Sequence, residues 1–340
     1  VSRVSVVGGG LYGCVAAVEL AREGHEVDLY ERHADLLHGA SRCNQGRIHR
    51  GFHYPRSRNT ASEAAEAAPR FEARYARAID RSVDHYYAIA DDSSTLTGPG
   101  EYLAFLERTG LTYWPEHPSW LRDCAVCVRA EESFVNLDVL RDLLWRELAQ
   151  AHVRVRLATP VEDLRVDGMG SEVVRATYGT GWVQPLQWEV VEIALFRLPV
   201  ALRRTSLVVM DGPFSSIDPL PGGLHMVYDV RVSVHARNVG LAPAIPPALH
   251  ALLDRGPLYT TLSRHKTLQA GAALYMRGVE DADYQGSMFT VRAVLPNTDA
   301  TDERPFRVLA GPGGLQLLPG KLASCLSAAD ILVGLCRVSV

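Results

Sequence analysis

The chain has 340 residues and no apolar run approaching the length of a membrane span, which takes about 20 residues. It also lacks a basic excess: 35 Lys and Arg stand against 39 Asp and Glu, for a net charge of −4. Nucleic acid and anionic membrane surfaces attract the opposite balance, so neither is an expected partner. Cysteine is sparse, with 6 in the chain, whereas a secreted disulfide scaffold is smaller and denser in Cys. The first ten residues, VSRVSVVGGG, show no basic n-region, apolar h-region or cleavage site. These features predict a cytoplasmic, reduced protein. No H-E-x-x-H, G-x-S-x-G or P-loop motif occurs, which argues against a zinc protease, an esterase or an NTPase. Cys124 and Cys127 form a C-x-x-C without a second pair or nearby histidines, inside an alternating stretch that reads as a strand. They are expected to be packing cysteines, and no metal is expected. What remains is ordinary globular composition, 47% hydrophobic and 22% charged, enough for two domains or one large α/β unit with an insertion.

Residues 4–31 run strand, glycine turn, helix, strand. Val4, Val6 and Val7 make a short β-branched strand, and Gly8-Gly9-Gly10-Leu11-Tyr12-Gly13 follows as a G-x-G-x-x-G. A helix then carries Val15, Ala16, Val18 and Leu20, and Gly24 stops it. The second strand ends on Glu31. Gly8 permits the tight turn, Gly10 lets a pyrophosphate approach the backbone, and Gly13 lets helix and strand pack closely. The helix N-terminus offers free N–H groups and a positive dipole end to phosphate. Glu31 falls where a carboxylate takes ribose hydroxyls and repels a 2′-phosphate, which disfavours NADP. The setting predicts a dinucleotide cofactor, FAD or NAD, and the fingerprint alone does not choose between them.

A second unusual stretch is ASRCNQGRIHRGFHYPRS, residues 40–57. Arginines and histidines crowd it, and neither a helical nor a strand period organises it. Together with the fingerprint it resembles the D-amino-acid-oxidase-like FAD-dependent oxidoreductases, in the branch that includes L-2-hydroxyglutarate oxidase and glycerol-3-phosphate dehydrogenase. Asn44, Gly46, Ile48, His49 and Gly51 match that branch's N-x-G-x-I-H-x-G. The resemblance implies an α/β fold: a Rossmann-like FAD-binding domain of the glutathione-reductase type, with an antiparallel β-rich substrate domain threaded through it. FAD is the implied cofactor. Gly8, Gly10, Leu11, Tyr12 and Gly13 would form its phosphate turn, with Glu31 and Arg32 on the adenosine side. Ser41 and Arg42 would touch the pyrophosphate. Asn44, Gln45, Gly46 and Arg47 would line the flavin, and His49, His53 and Tyr54 would face the substrate.

Two further stretches carry the resemblance. In 133–164, Leu137, Leu140, Leu144 and Leu148 lie at helical spacing behind a candidate N-cap, Asn136, and Val161 would meet adenine through its backbone. Near the C-terminus, Thr301, Asp302 and Pro305 match a T-D-x-x-P. Gly320 and Lys321 then fall at the flavin pyrimidine, where a positive end stabilises the anionic reduced ring. Arg50, His53, Tyr54 and Arg56 are more basic than the better-known members carry, which points to an anionic or a polar, sugar-like substrate. Either Cys43 or a loop histidine could attach the ring covalently.

The expected division is 1–85, 133–200 and 300–340 for the FAD domain, and 86–132 with 201–299 for the substrate domain. Alternating hydrophobicity over 161–237 predicts antiparallel sheet. The implied activity takes hydride from a C–H beside an amine or hydroxyl onto flavin N5. His49 or His53 would accept the proton, and Arg292, Arg47 or Arg56 would clamp a carboxylate or phosphate. Arg292 equally reads as an exposed strand charge. Two alternatives stand: a flavin-dependent mutase on a nucleotide sugar without net redox, and an FAD-binding protein without activity, which the dense polar loop disfavours. No second G-x-G-x-x-G lies between a strand and a helix, so electrons would come from the substrate and leave to oxygen or another acceptor. NADH and NADPH should therefore reduce the flavin slowly or not at all in anaerobic stopped flow. Fast stoichiometric reduction by either would move the chain to a reductase or monooxygenase class.

Overall fold

A computed structural model describes residues 2–161, 171–175, 183–212, 215–298, 300–311 and 314–338. In chain order the first half carries β1 (Arg3–Val7), α1 (Leu11–Arg22), β2 (Glu26–Tyr30), α2 (Arg58–Arg74), β3 (Ile79–Asp80), β4 (Asp84–Ala90), α3 (Pro99–Thr109), β5 (Tyr113–Pro115), β6 (Cys124–Ala130), β7 (Phe134–Val135), α4 (Leu137–Gln150) and β8 (Arg154–Arg156). The second half carries β9 (Ser171–Arg175), β10 (Leu186–Arg197), β11 (Thr205–Met210), β12 (Ser215–Pro219), β13 (His225–Asp229), β14 (Val234–Gly240), α5 (Pro247–His250), α6 (His265–Ala273), β15 (Asp283–Val294), β16 (Arg307–Gly311), β17 (Gly314–Leu318) and α7 (Cys325–Val338).

Two sheets organise these elements. The six-stranded sheet has the order β16-β17-β9-β1-β2-β8. It is parallel at β1, β2, β8 and β9, with β16 returning antiparallel on β17. Val7 and Tyr30 are register partners, so the glycine turn after β1 and Glu31 after β2 leave the same carboxyl edge side by side. That edge is where open α/β sheets bind ligands. Below it, α1 packs on α7 and α4. Ala16 and Ala17 of α1 and Ala328 and Ala329 of α7 are buried there and let the helices approach closely. Leu140, Leu144 and Leu148 of α4 are fully buried, each contributing roughly 1.5–3 kcal/mol. Asn136 caps α4 as expected, its Oδ1 accepting from the N–H groups of Asp138 and Val139.

The second sheet has nine strands and is mostly antiparallel, with β4 and β11 parallel. β10 pairs with β14 and then β13 along one edge, and with β15 along the other. Its expected alternation is absent: Leu186–Phe196 are all buried, because both faces are covered. β10 therefore belongs to the large sheet, and the sheets divide the chain before residue 186 rather than at 200. Within 162–182 the structure describes β9, which pairs parallel with β1 and β17 and so departs from the antiparallel sheet expected there; 162–170 and 176–182 lie outside the described residues. Pro69 lies inside α2, and Gly98 caps α3 with Pro99 in its first turn.

The segment 40–57 runs between the two sheets. Gly46 has φ 72°, and a Cβ there would stand 2.6 Å from the Phe134 ring. Its carbonyl accepts from the Val135 N–H at 2.6 Å, and Ile48 donates to Ser133. The resemblance implies that Arg47 lines the flavin. Its side chain instead enters the large sheet, where it pairs with Asp218 and Ser206 and stacks 5.0 Å from the Tyr87 ring. Both members of the ion pair are buried. Removing one partner of such a pair leaves an uncompensated charge, at a cost of about 3–5 kcal/mol. Arg47→Ala should therefore lower the unfolding free energy of the FAD-free protein, extrapolated from urea titration, by that amount, and Arg47→Met with Asp218→Leu should recover most of it. An unchanged midpoint in Arg47→Ala would show that the pair holds nothing.

Candidate cofactor and substrate cleft

The turn between β1 and α1 is built around Glu31. Gly8 turns the chain at φ 109°. The Gly9 N–H donates to Glu31 Oε2 at 2.6 Å, and the His33 N–H donates to Oε1 at 2.8 Å. A Cβ on Gly9 would meet Leu36 at 2.9 Å and Glu31 at 3.0 Å, so Gly9 must be bare for the protein's own packing. Gly10 differs. A Cβ there meets only Ser41 Oγ, at 3.3 Å, and otherwise enters an open cleft. Ser41 Oγ also accepts the Leu11 N–H at 3.2 Å, capping one of the free donors at the start of α1.

The cleft holds about 350 Å³, within the 300–1,000 Å³ of small-molecule and cofactor sites. It is lined by Glu31, Arg32 and His33, by Gly8, Gly10 and Tyr12, and by Tyr228, Arg292, Arg304 and Lys321. Tyr12 joins the turn after β1 to the segment at Gly320 and Lys321. Its hydroxyl donates to the Lys321 carbonyl at 2.6 Å and accepts the Gly320 N–H at 3.1 Å. Gly320 and Lys321 thus reach the cleft, as the resemblance implies. Asn44 and Gln45 line it too, Asn44 folding back on the Gly46 N–H and Gln45 reaching Ser216.

Other expected residues lie elsewhere. Arg42 reaches out to Asp138 at 2.5 Å and does not line the cleft. Val161 lies outside the lining, and Gly13 is buried within α1. Arg32 lines the cleft while donating to Asp254 at 2.8 Å. Arg50 pairs with Glu72, and Arg56 grips Asp211 through two nitrogens. The basic loop is thus neutralised by carboxylates and is not itself an anion site. Arg292, Arg304 and Lys321 line the cleft, Arg292 and Arg304 each with a carboxylate partner behind it, Glu189 and Asp302, and among the described lining residues Glu31 is the only carboxylate. Cys43 also lines the cleft, its thiol pushed up to about 12 by burial and so protonated at neutral pH.

Of the proposed catalytic group, His49 and Arg292 line the cleft, while His53 and Tyr54 stand behind His49. The His53 ring is 5.3 Å from that of His49 and 5.0 Å from that of Tyr54. Burial, then the Lys321 charge, holds both imidazoles well below the usual histidine range, so they are neutral at pH 7. Lys321 Nζ lies 4.3 Å above the Tyr54 ring, and burial pushes its amine down to about 7. Tyr228 and Arg304 were not foreseen. Arg304 sits in the quoted T-D-x-x-P stretch, whereas Tyr228 carries no local signal and is brought in by β13.

A family model described as FAD dependent oxidoreductase matches residues 3–291. The chain belongs to this family. FAD is the cofactor of this oxidoreductase. Over 273 residues, 74% of this chain and 73% of the other, it is 28% identical to the FAD-dependent monooxygenase FPY4 of Fusarium mangiferae. Its fold matches the L-α-glycerophosphate oxidase of Mycoplasma pneumoniae, solved with FAD bound, at a TM-score of 0.71 and 15% identity, covering 99% and 94% of the two chains. It matches the glycine oxidase of Bacillus cereus at 0.69 and 14% identity, covering 100% and 96%. Those likenesses establish the fold. Among the described residues no helix is long and apolar enough to cross a membrane, and no cluster of His, Cys, Asp or Glu is arranged to hold a metal.

The residues present fit FAD. The bare Gly10 faces open space that no protein atom fills, beside the start of α1 and below Glu31. Lys321 supplies a check independent of the cofactor. Its folded value, about 7, lies below the ordinary 10.5, so the unfolded chain binds the proton more readily. The stability of the FAD-free protein is reduced below pH 7, rises between about 7 and 10.5, and is unaffected by this group above that range. Lys321→Met should melt higher than the parent at pH 6–7, with the gap closing towards pH 10. A gap that does not depend on pH would contradict the buried amine.

Proposed function

We propose that this oxidoreductase oxidises a C–H beside an amine or hydroxyl in a small anionic substrate. The observation that carries the reading is that three basic side chains, Arg292, Arg304 and Lys321, line the cleft against a single lining carboxylate, Glu31, while the partners of Arg292 and Arg304 stand outside the lining. Bound FAD would supply the ring that takes up a hydride equivalent. Glu31, the Gly8–Gly13 turn and Ser41 would hold its ADP half, and Asn44, Gln45, Gly320 and Lys321 the flavin half. Arg292 would grip the substrate anion and fix the C–H in place; positioning of this kind supplies several kcal/mol of barrier reduction. His49, neutral through burial, would accept the hydrogen of the substrate's amine or hydroxyl. The Tyr228 ring, 5.5 Å from the Arg292 guanidinium, would close the pocket beside it. Oxygen is the proposed final acceptor.

The name of the Fusarium relative raises monooxygenation as a second reading. The two separate in one experiment. Under anaerobic conditions, small 2-amino and 2-hydroxy acids should include a compound that bleaches the flavin without any nicotinamide nucleotide, and air should restore the colour. Bleaching by NADPH alone would favour the second reading. With the active compound, His49→Ala should keep its FAD and slow bleaching by ~10²-fold or more. An undiminished rate in His49→Ala would remove the histidine from the mechanism.

A further inference from the structure

Glu189 lies on β10 directly opposite Arg292 of β15, and it is 1% exposed. Its Oε2 accepts the Arg292 Nε–H at 2.6 Å. Its Oε1 accepts from Gln187 Nε2 at 2.8 Å and from an Arg237 terminal nitrogen at 2.8 Å. The carboxylate is thus held from β10, β14 and β15 at once. Burial alone would raise its pKa, and the guanidinium groups of Arg292 and Arg237 outweigh burial and hold it below the usual carboxylate range, so it is charged at neutral pH.

The grip on Arg292 is one-sided. A guanidinium has five N–H groups, and a carboxylate bound at Nε leaves the terminal ones for a second acceptor. Arg292 lines the cleft, with the Tyr228 ring 5.5 Å from its Cζ. A buried ion pair is poor evidence of stabilisation, because desolvation offsets much of the attraction, and the β10–β15 ladder already joins these strands along their length. What the ladder cannot set is the rotation of a long, flexible side chain. A carboxylate fixed by two further donors can.

Building on the reading of Arg292 as the anion grip, we propose that Glu189 is a positioning residue, which turns the Arg292 guanidinium so that its terminal nitrogens meet a substrate carboxylate. Glu189 does not touch the substrate itself. Arg237, 45% exposed at its side chain, holds the outer oxygen and keeps Glu189 from rotating with its partner.

The test uses the FAD-loaded protein with its flavin pre-reduced anaerobically, so that nothing turns over, and glycolate as the carboxylate probe with ethylene glycol as the uncharged control, and measures binding by calorimetry. Glycolate should bind the parent protein and ethylene glycol should not. Arg292→Ala should abolish glycolate binding. Glu189→Ala should raise the glycolate Kd ~10-fold or more, the worth of a well-placed charge-assisted hydrogen bond, at unchanged FAD content. Glu189→Gln, which still accepts from Nε, should recover part of that loss. If glycolate fails to bind, or binds Arg292→Ala as tightly as the parent, the anion grip falls and this proposal with it. If Arg292→Ala loses binding while both Glu189 variants keep the parent Kd, the grip stands and the positioning role is overturned. Should Glu189→Ala not fold, Glu189→Gln decides alone, and a Kd equal to that of the parent contradicts the proposal.

Discussion

The hydrogen bond from the Gly9 N–H to the Glu31 carboxylate is the constraint on which the cleft depends. It joins the loop after β1 to the end of β2, so that the start of α1 and an acidic side chain face one opening. The parallel register of Val7 with Tyr30 brings the two close, and the bond fixes their spacing. A carboxylate held by two backbone donors keeps one orientation. From α1, the Tyr12 hydroxyl then draws in the turn at Gly320 and Lys321, more than three hundred residues along the chain. The candidate site is thus assembled from the turn after β1, the end of β2 and the segment at Gly320 by a few short bonds to backbone groups.

The opposite wall has a different origin. β10 and β15 are long, antiparallel and in register over most of their length, and residues of both line the cleft. Arg292 and Thr290 come from β15, and Val191 and Ile193 from β10. The segment 40–57 links this wall to the FAD domain. Its arginines find carboxylates far along the chain, Arg47 at Asp218 and Arg56 at Asp211, and so tie the cofactor loop to the substrate sheet. The cost of burying these charges is consistent with a need to hold the loop in one place.

This division explains which parts were legible in the sequence. The phosphate turn and its acid could be read because every contact is local to one βαβ unit, where each glycine has its own steric reason. The helix cap at Asn136 was legible for the same reason. The loop arginines could be seen as unusual, but whether an arginine faces a ligand or a buried carboxylate depends on a partner one or two hundred residues away, and spacing carries no record of that. His53 and Tyr54 were expected beside His49; the chain turns between them, and only His49 lines the cleft. Tyr228 and Glu189 were invisible, because their importance comes from strand register alone. The burial of β10 on both faces erased the alternation that would have separated its inward from its outward positions.

The central claim is that the open space at Gly10 belongs to the cofactor and not to the protein. It is tested most directly by Gly10→Val, with FAD content and the melting of the FAD-free protein measured on the same preparation. A Cβ at Gly10 meets only Ser41 Oγ, at 3.3 Å, and otherwise the open cleft, so the FAD-free variant should fold and melt close to the parent. It should nevertheless purify colourless and fail to take up added FAD. A variant that melts normally and purifies yellow with full FAD occupancy would contradict the account.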